Sequence, residues 1–531
     1  MNRRCLLVAI ACTFILPTGS ETRADELMSP NAARRMGLEE AWQRQIRVPA
    51  GAASIVHQEL IVHGDRAKEF VEIQGTAAEG KAAPVLFRLD INTPGATGAP
   101  IGKAEAERLA RRELRRLKRF GGDPKITFRT VPRVNLYTAA NNGTVECRDA
   151  ETGAPLWMTQ VGDARLGYGK MGVDDKYLTL TNGANLILID VTNGEPVSNE
   201  RMLSIPIYGA IHAGGYSILP TIRNGIECYP LVHTKETPFM DDVPFMEIVS
   251  GLALKPPTKS PSSAKIAWGT DRDFVYVMET SGEPSVLFRL HTDGIVSGRI
   301  AAGAGDRFFF GSESGQVYAL KGTRSGRVIW SQPYGEPFYK DPILVDGVLM
   351  IPSEYGNLFA LDENTGISVW STPMPNVDKV VGGLEGKVFV RLISGGFAAI
   401  DVKTGQMLDI DRALMPRKLL VNRVTNRLYL VDSIGTVQCL RPIGAEMPSL
   451  QQSQEAFTET PKETKPKKVD NKKKADPFKT DPFGAGNDPF GAGGAAGGND
   501  PFGNAGGMPA DDPFGTPPAG DAKDPFGGSP F

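Results

Sequence analysis

A repeat of about 40 residues is the feature that most constrains how this chain can fold. The segments GTVECRDAETGAPLW at 143–157 and GNLFALDENTGISVW at 356–370 place glycine, aspartate, glycine and tryptophan at identical spacing, and GQVYALKGTRSGRVIW at 315–330 differs by one inserted residue. Fainter copies carry the same first glycine, so the marker glycines are Gly143, Gly183, Gly225, Gly315, Gly356, Gly395 and Gly435. Short strands that recur at this period are typical of a β-propeller.

The array predicts an all-β, eight-bladed propeller over residues 125–442, with seven or nine blades as alternatives. Each unit offers four strands except the last, which offers three and therefore needs one from elsewhere. Residues 54–95 look like strands and form either a degenerate blade or the strands that close the ring. Closure by a strand from the other terminus would remove an exposed sheet edge.

The repeated residues have structural roles. The first glycine suits the positive φ of a hairpin turn, the aspartate suits the next turn, and the tryptophan suits packing between neighbouring blades better than a ligand platform. The residues assigned to this structural set are Gly143, Asp149, Gly153, Trp157, Gly315, Gly326, Trp330, Gly356, Asp362, Gly366, Trp370, Gly395, Asp401 and Gly405.

The N-terminus predicts export. Residues 1–24 combine two arginines, a short apolar core and small residues before the expected cleavage point after Ala24, as in a signal peptide. Lipidation at Cys12 is the less favoured alternative, because Ala9 is a poor residue three places before it. Residues 25–53 are polar and are predicted to be a loose leader. A net charge of −2 gives no indication of a nucleic-acid binder.

One helix is predicted within the N-terminal region 54–124, at residues 103–120, with an apolar stripe and a strongly basic opposite face. It is interpreted as an inserted helix packed on the propeller with its charges in solvent. A helix that binds a membrane surface or an anionic partner is the alternative.

Three cysteines remain after cleavage, at one equivalent place in three repeats: Cys147, Cys228 and Cys439. Equivalent strands of neighbouring blades lie too far apart for a disulfide, so free, buried thiols are expected.

Residues 443–531 are predicted to be a disordered tail with a lysine-rich spacer at 461–474. Asp-Pro-Phe occurs six times in it, and multivalent binding by these phenylalanines is one hypothesis, against an extension without a partner. The phenylalanines are Phe478, Phe483, Phe490, Phe502, Phe514 and Phe526.

The quoted pattern resembles the pyrroloquinoline-quinone-type propeller repeat family. That family contains quinoprotein alcohol dehydrogenases and non-enzymatic members such as the propeller subunit of the outer-membrane barrel-assembly machinery. The resemblance covers about 125–441 and implies the fold more strongly than the function, because the matching residues are structural.

Catalytic chemistry is not predicted. The resemblance implies that an enzyme of this family would hold its quinone beside Ca²⁺, in many members under a disulfide of adjacent cysteines, but the chain has no Cys-Cys pair and no segment matches the calcium ligands. The acidic pairs Asp174–Asp175 and Asp241–Asp242 are interpreted as solvated loop residues, and the five histidines lack zinc spacing. No cofactor or metal is expected, with pyrroloquinoline quinone and calcium kept as the alternative.

The irregular stretch 229–264 carries Phe239, Met240, Phe245 and Met246. They are interpreted as a blade connection that tucks back onto the ring, or else as a partner contact. The chain is thus predicted to be an exported, periplasmic or envelope propeller of a bacterium that binds a protein or envelope component without catalysis. A quinone-dependent oxidoreductase and a ligand- or polymer-binding propeller are the alternatives.

Overall fold

The strands of this chain form eight antiparallel sheets around a common axis. The structure, a computed structural model, describes residues 26–76, 83–95, 98–120, 123–231 and 244–450. The number of sheets in these residues equals the number of blades that the sequence predicts, and the β-propeller class is confirmed.

We number the sheets 1 to 8 in the order in which their innermost strands occur. Sheet 1 contains β2 (Ile55–Gln74), β3 (Val85–Asp90), β4 (Lys125–Ala140), β5 (Thr144–Asp149) and β6 (Pro155–Gln160). Sheet 2 contains β7 (Gly172–Val173), β8 (Tyr177–Asn182), β9 (Asn185–Asp190) and β10 (Pro196–Arg201). Sheet 3 contains β11 (Ile211–Ala213), β12 (Tyr216–Pro220), β13 (Gly225–Pro230) and β14 (Phe245–Ile248). Sheet 4 contains β15 (Thr258–Lys259), β16 (Lys265–Gly269), β17 (Phe274–Glu279) and β18 (Ser285–His291).

The remaining sheets follow the same order from the axis outwards. Sheet 5 contains β19 (Ala301–Gly303), β20 (Arg307–Gly311), β21 (Gln316–Lys321) and β22 (Arg327–Pro333). Sheet 6 contains β23 (Ile343–Val345), β24 (Val348–Pro352) and β25 (Leu358–Asp362), and sheet 7 contains β26 (Val377–Leu384), β27 (Lys387–Leu392), β28 (Phe397–Asp401) and β29 (Met407–Asp411). Sheet 8 contains β30 (Lys418–Leu420), β31 (Leu428–Val431), β32 (Thr436–Pro442) and, as its outer strand, β1 (Leu38–Gln45).

Sheet-to-sheet packing forms the core. Each neighbouring pair of sheets encloses one hydrophobic cluster, including sheet 8 with sheet 1, so the ring is closed. The middle strands are covered on both faces, which explains their nearly continuous apolar sequences. Cys147, Cys228 and Cys439 are buried and free there, as the sequence predicts.

Ring closure corrects the prediction for the N-terminus. A strand from the N-terminal side does complete the last unit. That strand is β1, which pairs antiparallel with β32. It lies within residues 25–53, the segment predicted to be a loose leader. Its alternating apolar residues Leu38 and Trp42 are buried between sheets. A short helix, α1 (Pro30–Arg35), precedes it and was not predicted. Residues 1–25, with the signal peptide, lie outside the described residues.

The segment 54–95 belongs to the ring and extends beyond it. The first half of β2 is the innermost strand of sheet 1, so the predicted boundary at 124/125 divides one sheet. The second half of β2 pairs with β3 and with the first half of β4, and helix α2 (Gly102–Leu117) packs on them. We call this extension, residues 68–131, the arm. The predicted inserted helix is therefore present, with its basic side exposed.

The ordered chain also continues past the predicted start of the tail at residue 443. Glu446 forms an ion pair with Arg88 of the arm, and the side chain of Arg427 donates to the carbonyl of Ala445. Leu450 forms a β-bridge with Thr425. These contacts fix 443–450 between the arm and sheet 8. The rest of the predicted tail, 451–531, lies outside the described residues.

Candidate functional site

The repeated tryptophans connect neighbouring sheets at the outer rim. The indole N–H of Trp370 in the outer part of sheet 6 donates to the carbonyl of Val402 in sheet 7, at 2.8 Å. Trp157 and Trp330 make the same bond to the next sheet, at 2.7 and 3.0 Å. Each accepting carbonyl belongs to the residue after the turn aspartate of the next repeat. The contact is therefore between repeats and not within one.

The second glycine of the repeat lies against the same indole. A Cβ added to Gly405 would come within 2.9 Å of the Trp370 ring, and one added to Gly366 within 2.4 Å of Trp330. Gly366 also has a φ of +72°, so a side chain here is excluded by strain and by space together. The sequence analysis gives a reason for the first glycine only, so this role of the second glycine comes from the structure.

The turn aspartates accept backbone hydrogen bonds, as their motif suggests. Asp401 Oδ1 accepts from the amides of Lys403 and Thr404, at 3.0 and 2.7 Å, and from the Thr404 hydroxyl. These bonds lower the pKa of the Asp401 carboxyl. The first glycines have φ between +84° and +90° at Gly143, Gly315, Gly356, Gly395 and Gly435. At Gly225 it is instead the preceding Asn224 that has positive φ.

One such tryptophan contact was missed from the sequence. Trp42 on β1 donates to the carbonyl of Ala150, at 2.9 Å, and Gly153 packs on its ring. It joins sheet 8 to sheet 1 and repeats the geometry of Trp370. Trp42 itself was the sequence signal, because it is a tryptophan upstream of the repeat array. The prediction of a loose leader over 25–53 took no account of it.

The inner strands surround a central channel, with a cavity of about 370 Å³. Its wall carries His57 and Glu59 from β2, Lys170, Arg299 and Arg423. None of these side chains belongs to the repeat motif, and none was predicted as a site residue. A signal existed, since Lys170, Arg299 and Asp341 each stand two residues before an inner strand.

The channel perturbs the acid–base properties of its groups. Burial, together with the charges of Lys170 and Arg299, lowers the pKa of His57 to about 3. Burial raises the pKa of Glu59 to about 7, although the positive charges of Arg299 and Lys170 oppose the rise. Burial and the Arg299 charge lower the pKa of Arg423 to about 10. The channel is therefore a low-dielectric site crowded with positive charge.

The acidic pair Asp174–Asp175 is not simply solvated, which corrects the sequence interpretation. It forms the first turn of sheet 2 and meets a histidine on each side. Asp175 Oδ1 lies 3.2 Å from His63 Nδ1 of sheet 1, and Asp174 Oδ2 lies 3.1 Å from His212 Nδ1 of sheet 3. Burial opposes ionisation of Asp174, but the bond and charge of His212 lower its pKa. These contacts connect three consecutive sheets.

Some features of the channel fit a quinone cofactor and others do not. Arg299, Arg423 and Lys170 could meet the carboxylates of pyrroloquinoline quinone. Within the described ranges, however, no group of three or more His, Cys, Asp or Glu side chains could hold a metal ion. The wall thus offers groups for an anion but no calcium site in this part of the chain.

The two ends of the ring differ in character. One end carries the turns between the second and third strands of each sheet and the connections between sheets, and we call it the connection face. The other end carries the remaining turns and the arm, and we call it the arm face. The exposed large apolar residues in turns and connections of the connection face are Leu166, Leu203, Ile205, Ile222, Tyr339, Tyr355, Ile393, Met415 and Ile434. The described turns of the arm face carry Ile367 and Ile443, and the arm adds Val85, Leu86 and Phe128, so the arm face has five such residues against nine.

The other predicted contact residues are placed only in part. Phe245 and Met246 lie on β14, a regular outer strand. Phe245 packs on the cluster between sheets 3 and 4, and Met246 is half exposed. Phe239, Met240 and the pair Asp241–Asp242 lie outside the described residues, as do the six tail phenylalanines. No helix in the described ranges is long and apolar enough to cross a membrane.

A family profile described as outer membrane protein assembly factor BamB matches residues 261–440. A curated relative, outer membrane protein assembly factor BamB of Yersinia pestis, is 30% identical over 123 residues. The match spans 22% of this chain and 30% of that relative's length. The resemblance to the pyrroloquinoline-quinone-type repeat family is thereby confirmed.

Several solved structures are similar over more than half of the chain. The crystal structure of BamB from Moraxella catarrhalis has a TM-score of 0.44 at 16% identity, covering 58% of this chain and 91% of that one. Saccharomyces cerevisiae Sqt1 has a TM-score of 0.44 at 9% identity, covering 57% and 92%. The computationally designed Ika8 protein has a TM-score of 0.43 at 12% identity, covering 57% of this chain and 92% of that one. The propeller assignment rests on the eight sheets and the repeats.

Proposed function

We propose that this chain, which resembles the pyrroloquinoline-quinone-type propeller repeat family, is an exported, non-catalytic scaffold that binds a protein partner in the cell envelope through its connection face. The observation that carries this proposal is the unequal distribution of exposed apolar side chains between the two ends of the ring. Apolar residues gathered on one surface of a rigid protein mark interaction sites.

The connection face has the composition of a protein interface. Tyr355 is 70% exposed at a turn of sheet 6, and Ile393 and Ile434 are 56% and 62% exposed at the equivalent turns of sheets 7 and 8. Tyrosine and isoleucine at such positions expose apolar area to water in the free protein. Covering that area on association would contribute favourable free energy, with the rigid sheets keeping the ordering cost low.

The matched relatives support the class of partner. The profile and the Yersinia pestis relative are described as outer membrane protein assembly factors, which favours a protein partner in the cell envelope for this chain as well. The chain spans about 30% of the curated relative's length in this match, so the partner and the export of the present chain remain parts of the proposal.

The test uses two pairs of isoleucines matched in exposure but placed on opposite faces. Ile434 (62%) and Ile393 (56%) lie on the connection face, while Ile367 (63%) and Ile443 (57%) lie on the arm face. Ile393→Glu/Ile434→Glu should strongly reduce recovery of cross-linked envelope proteins by the purified chain. Ile367→Glu/Ile443→Glu should leave it near the native level.

Both double variants introduce the same charges at sites of the same exposure, so a general effect of charge or solubility would appear in both. Equal recovery by the two variants, after their folding has been checked by circular dichroism, would exclude the connection face as the binding surface. Fractionation of cells should place the chain in the periplasm or envelope, and a cytoplasmic location would contradict export.

A second contact is proposed for the tail phenylalanines, from the sequence alone. One Asp-Pro-Phe unit should bind weakly, whereas six on one chain can raise avidity by about 10²–10⁴ if the partner offers several pockets. Replacing Phe478, Phe483, Phe490, Phe502, Phe514 and Phe526 by alanine should abolish the tail-dependent part of recovery, and replacing one should change little.

The matching truncation should end after Leu450 and not after Pro442. Residues 443–450 contact the arm and sheet 8, so removing them would disturb the ring as well as the tail. If the chain ending at Leu450 recovers the same proteins in the same amounts as the full chain, the tail has no binding role.

A further inference from the structure

The central channel gathers charge that the rest of the fold does not explain. Each of seven sheets supplies one charged side chain, and the seven act on one another electrostatically. Five are cations, namely Lys170, Lys255, Arg299, Lys379 and Arg423, and two are carboxylates, Glu59 and Asp341. The cavity wall also carries Lys259 and the pair Asp174–Asp175, whose carboxylates meet His212 and His63, so the cations still outnumber the carboxylates. An excess of one charge at a partly buried site is costly unless something neutralises it.

The two carboxylates do not balance the cations. Asp341 is already engaged, since its Oδ1 accepts from the Arg299 amide at 3.0 Å and its Oδ2 lies 3.5 Å from Arg423 Nη2. Glu59 lies 3.9 Å from His57, whose low pKa keeps it neutral. In the described part of the chain, Lys170 and Lys379 make no side-chain hydrogen bond or ion pair.

Unsatisfied hydrogen-bond donors accompany the unbalanced charge. The Nε–H of Arg423 is buried and has no acceptor among the described residues. The charge of Arg299 also lowers the pKa of both Lys170 and Arg423, after burial, which shows that the cations destabilise one another. An anion in the channel would relieve this repulsion and accept the free donors.

We propose that the channel is a binding site for a small anion with two or more negative oxygens, such as a dicarboxylate, a phosphate ester or a sulfate. Lys170, Arg299 and Arg423 are the residues that would contact it. The cavity of about 370 Å³ is large enough for such a ligand and near the lower end of the usual range for small-molecule sites. The site is independent of the connection face and of the proposed partner binding.

Binding should depend on pH through Glu59. Its carboxyl, with a pKa raised to about 7, faces His57, Lys170, Arg299 and Arg423. It shares the channel with Asp341, Lys255 and Lys379 and the cavity wall with Asp174, Asp175, His212 and Lys259. Protonation of Glu59 removes a negative charge from the channel. The site should therefore bind an anion more tightly at pH 6 than at pH 8.

The test is a calorimetric titration of the full chain with sulfate, a dianion at both pH values, at constant ionic strength. The native chain should bind it saturably, and more tightly at pH 6 than at pH 8. Glu59→Gln should bind at pH 8 as the native chain does at pH 6. Parallel titrations with citrate and pyrophosphate would show whether the site prefers carboxylate or phosphate oxygens.

Arg423→Gln is compared with Arg307→Gln, a matched control outside the channel. Both arginine side chains are 20% exposed, and each is paired with a carboxylate, Asp341 at 3.5 Å and Glu363 at 3.1 Å. Arg423→Gln should weaken sulfate binding by about tenfold or more, and Arg307→Gln should leave it unchanged. Lys170→Met, which breaks no hydrogen bond, should also weaken sulfate binding. It serves as the second test if Arg423→Gln fails to fold.

Three results would overturn the proposal. The first is no saturable binding of sulfate, citrate or pyrophosphate by the native chain. The second is equal weakening by Arg307→Gln and Arg423→Gln. The third is native affinity in Lys170→Met together with an unchanged pH dependence in Glu59→Gln.

Discussion

The outer rim and the central channel of this propeller follow opposite rules. At the rim the same contact recurs: an indole donates to the next sheet, a glycine lies under the ring, and an aspartate closes the turn. In the channel seven of the eight sheets contribute charged residues that differ from sheet to sheet, and the cations outnumber the carboxylates. The rim groups named here satisfy one another, whereas in the channel the Arg423 Nε–H has no acceptor among the described residues.

The difference shows where stability and binding are encoded. Residues that repeat stabilise the ring, because every interface needs the same packing. Residues that break the repeat are free to differ, and they concentrate unbalanced charge where a ligand could meet it. The two sets of residues should therefore be separable by experiment.

Removal of the closing strand should have the largest effect. A chain that begins at residue 46 lacks β1, leaves β32 as an open edge and loses Trp42 from the interface between sheets 8 and 1. Open edges invite association, so this chain should aggregate or sediment as oligomers. A chain that begins at residue 26 keeps β1 and is the control, and it should not aggregate or sediment as oligomers. Native-like monomers of the chain lacking β1 would refute this account of ring closure.

Replacement of a rim tryptophan should have the next largest effect. Trp370 is 4% exposed and fills the interface between sheets 6 and 7, so Trp370→Ala should lower the free energy of unfolding by about 3–5 kcal/mol. Urea denaturation followed by circular dichroism measures the change. A loss under about 1 kcal/mol, well below that range, would mean that the ring contributes little to the interface.

The channel histidine should produce a smaller, pH-dependent effect. The folded-state pKa of His57 is lowered from 6.5 to about 3, so below pH 6.5 the unfolded chain takes up a proton that the folded chain refuses. The native chain should therefore lose stability relative to His57→Gln as pH falls, by up to about 2 kcal/mol at pH 5. Above pH 7 the difference between the two variants should stop changing with pH, leaving only a constant offset from the lost Met171 N–H bond to His57. A constant difference from pH 7 to pH 5 would contradict the buried, neutral histidine.

Removal of one channel cation should have the smallest effect on stability. Lys170→Met breaks no ion pair and lowers the positive charge of the channel. Its free energy of unfolding should change by less than about 1 kcal/mol, and in the stabilising direction. A loss comparable to that of Trp370→Ala would show that Lys170 is structural.

The sequence was sufficient for the rim and the fold because repetition makes them visible. The spacing of Gly356, Asp362, Gly366 and Trp370 predicts strands, turns and inter-blade packing from local geometry. The closing strand was missed because Trp42 stands outside the array, in a polar segment whose partner strand lies nearly 400 residues away. Pairing over that distance leaves no local signal.

The channel could not be predicted for a related reason. Glu59 on β2 and Lys170 and Arg299 in loops are single charged residues of separate sheets, and each alone looks like a solvated side chain. Only ring closure brings them to one axis, and only burial there changes their pKa values. Similarly, Asp174 and Asp175 gain their histidine partners from sheets that are distant in sequence.

The most direct test measures unfolding and sulfate affinity on one rim variant and one channel variant. Trp370→Phe keeps an aromatic ring but loses the indole bond to Val402, so its stability should fall by about 1 kcal/mol while its sulfate affinity stays native. Lys170→Met should keep native stability and lose sulfate affinity by about tenfold. Two variants that each change one property and spare the other would support separate encoding of ring and site. Loss of both properties in both variants, or of affinity in Trp370→Phe alone, would contradict it.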